Sequence, residues 1–303
     1  MSNFNDQFIF SIIIITLGYL LKRKNIIKES DGDAISRIVF NLTLPCLIMI
    51  SFNNIKIDFS LIFIMINGFV YGIFLAFLGF LVFKKESRRI KGMMMMIVPG
   101  FNIGLFAYPL VEGIWGQEGI KYFGMFDMGN AFIVFGLTYL IGSFYSSDKN
   151  SFEFKQVFFK MSRSIPLLTY ISICTISIIG LQLPSVILDV AGVISKANMP
   201  LSLVLLGIYL DFSLDKSYFN KILKYLTLRY AVGLSVGLFS FFVLPFDNMF
   251  RYTILLALIL PMSFSALVYA VQFNYDKKLI GTVSNLTILI SFVLLWGIGN
   301  LLL

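Results

Sequence analysis

Ten apolar stretches, each close to a membrane's thickness when helical, run through the chain with short polar connections between them. They fall at residues 6–21, 34–53, 60–83, 90–113, 120–144, 161–181, 186–211, 218–244, 250–272 and 279–302. A helix of about 20 residues crosses the hydrocarbon core of a bilayer. In that solvent every backbone N–H and C=O has to be satisfied within the protein, which an unbroken helix does by itself. Composition decides between a bilayer and a soluble bundle. The chain is 58% hydrophobic and only 13% charged, with a mean hydropathy of +0.88. A soluble domain carries roughly 25% charged residues, and a globule of 303 residues could not hide so much apolar surface. The expected fold class is therefore an all-α integral membrane protein with ten transmembrane helices.

The formal charge of +8 raises the question of a polyanionic partner. Its distribution answers it. Twenty of the 24 Lys and Arg residues fall in or beside the connections after the first, third, fifth, seventh and ninth stretches, among them Lys22, Arg23, Lys24, Lys84, Lys85, Arg88, Lys221, Lys224 and Arg229. The alternate connections hold Lys56, Lys121 and Arg251, and Lys196 lies within a stretch. An excess of Lys and Arg in short loops marks the cytoplasmic side. The charge is thus explained by topology, with no nucleic acid implied, a plasma-membrane location expected, and both termini outside. The first stretch lacks a basic leader and a small-residue cleavage site, so it reads as a retained span. Cys46 and Cys174 each sit inside an apolar stretch and read as packed side chains, and histidine is absent.

The most polar segment, around residues 145–158, divides the chain into a first five-span repeat at 1–144 and a second at 159–303. Five is odd, so the second repeat enters the membrane from the opposite side, giving the inverted repeats of many secondary transporters. The halves echo each other. Pro45 matches Pro200; Pro99-Gly100-Phe-Asn102-Ile-Gly104 matches Pro261-Met-Ser263-Phe-Ser265; Gly124-Met-Phe-Asp127-Met-Gly-Asn130 matches Gly281-Thr-Val-Ser284-Asn285-Leu-Thr287.

Pro99 with Gly100 and Gly104, and Pro261 with Ser263 and Ser265, mark breaks in the fourth and ninth spans. Proline removes a backbone donor and clashes with the preceding turn, while glycine tolerates unusual dihedrals. Two such spans crossing near the midplane expose half-helix N-termini that suit an anionic group, with Asn102, Ser263 and Ser265 adding side-chain hydrogen bonds. The bland alternative is a pair of ordinary kinks. Asp127 lies about eight residues from the outer end of its span and Lys196 about ten. Both are then roughly 12–15 Å deep, where charges are costly and usually functional. Asp127 is the candidate proton or cation site, Lys196 an anion-attracting group or a stand-in for a cation, and a purely structural pair is the alternative. Asn130 and Asn285 either bind ligand or bridge helices. Met93–Met96 reads as packing, and Glu112 and Glu118 as solvated charges around an outer turn at Gly116. No phosphate loop, dinucleotide fingerprint or metal-ligand cluster occurs. No cofactor is expected beyond a bound sodium or a transferred proton, and no enzymatic role.

At these residues the chain resembles the auxin efflux carrier family, in its short bacterial permease branch. The similarity runs through Ile38-Val-Phe-Asn-Leu-Thr-Leu-Pro45, Asn102-Ile-Gly104-Leu-Phe-Ala-Tyr-Pro109, Trp115-Gly116-Gln-Glu118-Gly119, Phe126-Asp127-Met-Gly129-Asn130, Ala197-Asn-Met-Pro200 and Leu260-Pro261-Met-Ser-Phe-Ser. The resemblance implies a ten-helix fold related to bile-acid symporters and sodium/proton antiporters. It further implies a scaffold of spans one, two, six and seven that often dimerises, so that a homodimer is one expected assembly. Spans three to five and eight to ten would form a moving domain in which the fourth and ninth cross. Carried over, Asn102 sits near a substrate carboxylate, and Pro261 and Ser265 lie at the second crossover. The substrates implied are organic anions such as malate or malonate. The short central segment argues against auxin, and Ile103 replaces a hydroxyl residue common after the crossover Asn. A sensor that binds a carboxylate without carrying it is the second reading.

Overall fold

The computed structural model describes residues 4–146, 154–211 and 218–302. Of the segment expected to link the two halves, 147–153 therefore lies outside the described residues. All the regular structure described is helical: α1 (Phe4–Arg23), α2 (Glu29–Phe52), α3 (Phe59–Val82), α4 (Arg88–Ile97), α5 (Ile103–Ser146), α6 (Phe154–Met161), α7 (Ile165–Ile178), α8 (Ser185–Tyr209), α9 (Phe219–Val243), α10 (Asn248–Ala257), α11 (Ser265–Gln272) and α12 (Lys277–Leu302). Seven of these are long and apolar enough to cross a membrane, and α6 with α7, bent by 64°, brings the number to eight. The protein is an all-α, multi-pass membrane protein.

Local chemistry sets where helices start and bend. Asp58, Ser164 and Asp247 cap α3, α7 and α10 by accepting from the N–H groups of Leu61, Leu167 and Phe250, each satisfying an otherwise orphaned donor. Pro45 and Pro109 lack a donor for the turn before them, and in both places the preceding turn is widened into a π-helical stretch, Val39–Thr43 in α2 and Ile103–Ala107 in α5. The 44 residues of α5 are not one rod. Gly116 has φ 60° and ψ −142°, a conformation that side-chain-bearing residues rarely adopt. It separates a short helix before it from a long one after it, at the turn expected from the sequence. Residue 154 to 158, read as linker, already belong to α6.

Side chains divide as a lipid solvent demands. Ile9, Phe10, Ile13 and Leu17 of α1, Ile66, Val70, Ile73 and Phe77 of α3, and Phe239 and Phe242 of α9 are exposed. The interior holds polar residues such as Asn130, Asn198, Thr287 and Arg229. With apolar groups equally at home in lipid, close packing of backbones is what brings helices together. Helices α1 and α8 meet at Gly18 and Gly207, and α3 and α5 at Gly68 and Gly129. A Cβ at Gly207 would overlap the carbonyl oxygen of Ile15, and one at Gly129 that of Met65. Gly281 and Gly297 of α12 have open space beside them. We expect Gly129→Ala and Gly207→Ala each to destabilise the protein by about 1–3 kcal/mol through overpacking. Gly281→Ala and Gly297→Ala should be neutral or slightly stabilising, since Ala is the better helix former. Thermal unfolding of the detergent-purified variants checks this ordering.

Candidate functional site

The chain unwinds between α4 and α5 and again between α10 and α11, and the two unwound segments lie against each other. Asn102 donates its backbone N–H to Pro261 O at 3.0 Å, and Ser263 donates to Gly100 O at 3.2 Å. These bonds make a one-rung antiparallel bridge between Phe101 and Met262. Pro99 and Pro261 thus sit where helices end, at paired positions, instead of kinking continuous rods. The next helix starts are capped from within. Asn102 Oδ1 accepts from Leu105 N at 3.3 Å, and Ser263 Oγ accepts from Ser265 N at 3.3 Å.

The outer backbone groups of the bridge are held by the helices beside it. Asn130, in the long part of α5, clamps Phe101 on both sides: its Oδ1 accepts from Phe101 N at 3.0 Å and its Nδ2 donates to Phe101 O at 3.1 Å. In the other half Thr287 Oγ1 accepts from Met262 N at 3.3 Å. Thr287 aligns with Asn130 in the sequence echo, and so serves the position that Asn285 had seemed to offer. Asn285 instead donates to Asp211 O at 2.6 Å, away from the bridge.

On the opposite side of the bridge stands Arg229, fully buried eleven residues into α9. Its Nε donates to Leu260 O at 3.1 Å and its Nη1 to Val98 O at 2.8 Å. Nη2 lies at 3.0, 3.0 and 2.9 Å from the carbonyl oxygens of Gly100, Leu260 and Pro261. The guanidinium also stacks over the Phe101 ring at 4.3 Å. Tyr225 donates to Ile97 O at 3.1 Å and Ser291 to Ile259 O at 2.6 Å. This corrects the reading of Arg229 as a loop-flanking charge. Proximity to Lys221 and Lys224 hid it, although its place about 15 Å along a helix was a signal available in the sequence.

A cavity of about 510 Å³, part of it open to the surroundings, lies against the bridge. Its lining brings together Asn102, Gly104, Asp127, Asn130, Ser263 and Ser265. Pro99, Gly100 and Pro261 form the covered backbone behind it. Asp127 is half-buried there. One carboxylate oxygen accepts from Asn130 Nδ2 at 3.2 Å, and the other lies 3.2 Å from each of the Tyr108 and Tyr170 hydroxyls, whose two protons are shared between it and the bond that joins them. Lys196 is not part of this group. It is exposed at the junction of the two halves of α8, so an Asp127–Lys196 pair does not form. Glu112, expected to be solvated, is half-buried with Oε2 lacking a partner among the described residues. A second, larger cavity of about 1,220 Å³ is lined by Asp33, Tyr209, Phe264, Lys277, Lys278 and Asn285, among others. Phe264 borders both cavities, and its ring packs on Tyr209 with centroids 4.8 Å apart. Tyr209 in turn donates to Asp33 at 3.0 Å.

Residues 6–165 match the family described as "Membrane transport protein". The chain belongs to this family. It is also similar, at 24% identity over 96% of this chain and 97% of the relative, to an uncharacterized transporter of Methanocaldococcus jannaschii. An uncharacterized transporter of Methanothermobacter thermautotrophicus is 23% identical over 95% of each chain. The uncharacterized transporter YfdV of Escherichia coli K12 is 22% identical over 93% of this chain and 92% of its own length. As in any membrane transport protein, polar groups buried at depth are costly to leave unpaired. Asn130→Ala would strand both the N–H and the C=O of Phe101, and we expect a loss of about 2–3 kcal/mol. Asn285→Ala frees only the carbonyl of exposed Asp211 and should cost less than half of that. Melting temperatures of the two variants, measured side by side, check the assignment of Asn130 as the clamp.

Proposed function

We propose that this membrane transport protein is a secondary transporter for a small organic anion bearing a carboxylate, of the size of malate or malonate, bound where the two unwound segments meet. The observation that carries this reading is the convergence of two helix starts, at Ile103 and Ser265, with Asn102 on one cavity. Each helix N-terminus carries about half a positive charge in unsatisfied N–H groups, so the pair offers about one unit to a carboxylate. Asn102 Oδ1 is committed to Leu105, leaving its Nδ2 as a donor for a ligand.

The fold reading that goes with it is ten spans in two inverted five-helix repeats. The fourth is α4 plus the part of α5 before Gly116, and the ninth is α10 plus α11. The paired caps Asn102 and Ser263, and the paired clamps Asn130 and Thr287, support the repeat. Alternating access then moves the domain holding the crossing against a scaffold of α1, α2, α7 and α8. With the Lys- and Arg-rich connections facing the cytoplasm of a plasma membrane, the larger cavity is the inner vestibule, and the Tyr209–Phe264 contact its division from the binding cavity.

Asp127 supplies the coupling. One unit of positive potential cannot serve an ionised Asp127 and a bound carboxylate equally well, and like charges in one site raise each other's proton affinity. Anion binding therefore favours uptake of a proton by Asp127. Affinity for a monocarboxylate should rise as pH falls from about 8 to 6, a range in which a simple carboxylate ligand stays ionised. Asp127→Asn should bind with little pH dependence, and Asn102→Ala should lose binding roughly tenfold or more, as expected for one hydrogen bond to a charged group. Isothermal titration or thermal shift against mono- and dicarboxylates reads all three, and flux in proteoliposomes separates a carrier from a carboxylate sensor. Equal pH dependence in wild type and Asp127→Asn would remove Asp127 from the coupling step.

A further inference from the structure

The two poles of the crossing differ in chemistry: one faces a cavity lined by Asp127, and the other is filled by a buried side chain. The ends of α4 and α10 present five carbonyl oxygens, those of Val98, Gly100, Leu260, Pro261 and Ile97, within a small volume. Unwound carbonyls and half-helix C-termini of this kind are what secondary transporters use to coordinate a monovalent cation. Four of the five here are occupied by the guanidinium of Arg229, and the fifth by Tyr225.

Among the described residues no carboxylate pairs with Arg229. The ion pair recorded among the described residues is Lys224–Glu86, 3.8 Å apart and near the end of the same helix. The counter-charge is instead the two helix C-termini. Each carries about half a negative charge, which together match one guanidinium. Arg is suited to this place because it presents five N–H donors in a rigid plane and does not lose its proton. One face of that plane is covered by the Phe101 ring, 4.3 Å away.

We infer that Arg229 is a resident cation, a positioning residue that fills the carbonyl pole of the crossing and takes the place of a bound sodium there. Anion binding by this protein then needs no sodium at the crossing. Removal of the guanidinium uncovers a site for a small monovalent or guanidinium-type cation.

The test is a thermal-shift comparison of full-length protein in sodium chloride, choline chloride and methylguanidinium chloride, each at the same millimolar ionic strength, with urea as a neutral control. Wild type should melt at the same temperature in sodium and choline. Arg229→Ala should melt lower in choline and recover by several degrees in methylguanidinium, and by less in sodium, with no recovery in urea. Arg229→Lys, which keeps a charge and three donors, should lie between the two. A sodium-specific stabilisation of wild type, or an Arg229→Ala melting temperature that ignores the identity of the cation, would overturn the inference. Where Arg229→Ala yields no folded protein, wild type and Arg229→Lys decide: a Lys variant that melts below wild type in choline and is raised by methylguanidinium supports the inference, and one that ignores the identity of the cation, or a sodium-specific stabilisation of wild type, overturns it. The cation arms contain no carboxylate, so a failure of the proposed substrate class leaves them readable. Conversely, a sodium-dependent carboxylate shift in wild type would count against resident Arg229 while supporting the anion site.

Discussion

In hydrocarbon, a backbone group freed from a helix has to find its partner inside the protein, and here two helices are broken at the same depth. The structure depends on how that debt is settled. The carbonyls at the ends of α4 and α10 go to Arg229, Tyr225 and Ser291. The two unwound segments satisfy each other through Asn102, Pro261, Gly100 and Ser263. The flanks of the bridge go to Asn130 and Thr287. An unpaired buried polar group costs about 1–3 kcal/mol even by mutational measures. Several such groups left open would exceed the whole net stability of a typical domain, about 5–15 kcal/mol. The crossing can therefore exist only with this set of partners. Helix α9, which supplies two of them, is as much a part of the site as the broken spans.

The two halves solve the same problem with different residues. Asn130 reaches both the N–H and the C=O of Phe101, whereas Thr287 reaches only the N–H of Met262 and sends its own proton to Ser284 O. Asn102 and Ser263 both cap a following helix, but only the amide keeps a second polar atom for a ligand. Asp127 has Ser284 as its counterpart, so the ionisable group belongs to one half alone. In the proposed inverted repeat the geometry is supplied symmetrically. The charge that a transported ion can respond to is carried by one half.

Much of this was legible in the residues. Serial apolar runs give the membrane class, because lipid leaves helical backbone as the self-sufficient solution. Pro99-Gly100 and Pro261 mark breaks because proline cannot continue the hydrogen-bond ladder, and Gly116 marks a turn because glycine takes dihedrals closed to other residues, as its φ of 60° bears out. The clustering of Asn102, Asp127, Asn130, Ser263 and Ser265 follows from placing both breaks and the next span at one depth. The rest needed coordinates. Arg229 looks like one more cytoplasmic charge when counted with Lys221 and Lys224, since a loop flank and a buried helix turn differ by only two or three turns. Lys196 looked deep by residue count, but depth says nothing of which way a residue faces, and it lies exposed at a helix junction. Asn285 and Thr287 are two residues apart on one helix, so they point some 200° apart, and spacing alone did not say which faces the bridge.

The charges at the crossing form a closed set. Two C-termini supply about one negative unit and meet one guanidinium; two N-termini supply about one positive unit and face a cavity that contains one carboxylate side chain. The first pole is permanently neutralised, because Arg keeps its proton at any accessible pH. In the proposed mechanism the second pole is neutralised in either of two ways, by an ionised Asp127 or by a carboxylate that arrives with Asp127 protonated. For a ligand that brings one negative charge, a site with one fixed and one exchangeable counter-charge keeps nearly the same net charge empty and loaded. In a bilayer interior that constancy matters more than affinity, since each uncompensated charge moved through hydrocarbon costs at least about 2.5–3.5 kcal/mol. A carrier of the proposed kind would shift its crossing between the two faces of the membrane in both states, with the empty return as accessible as the loaded stroke.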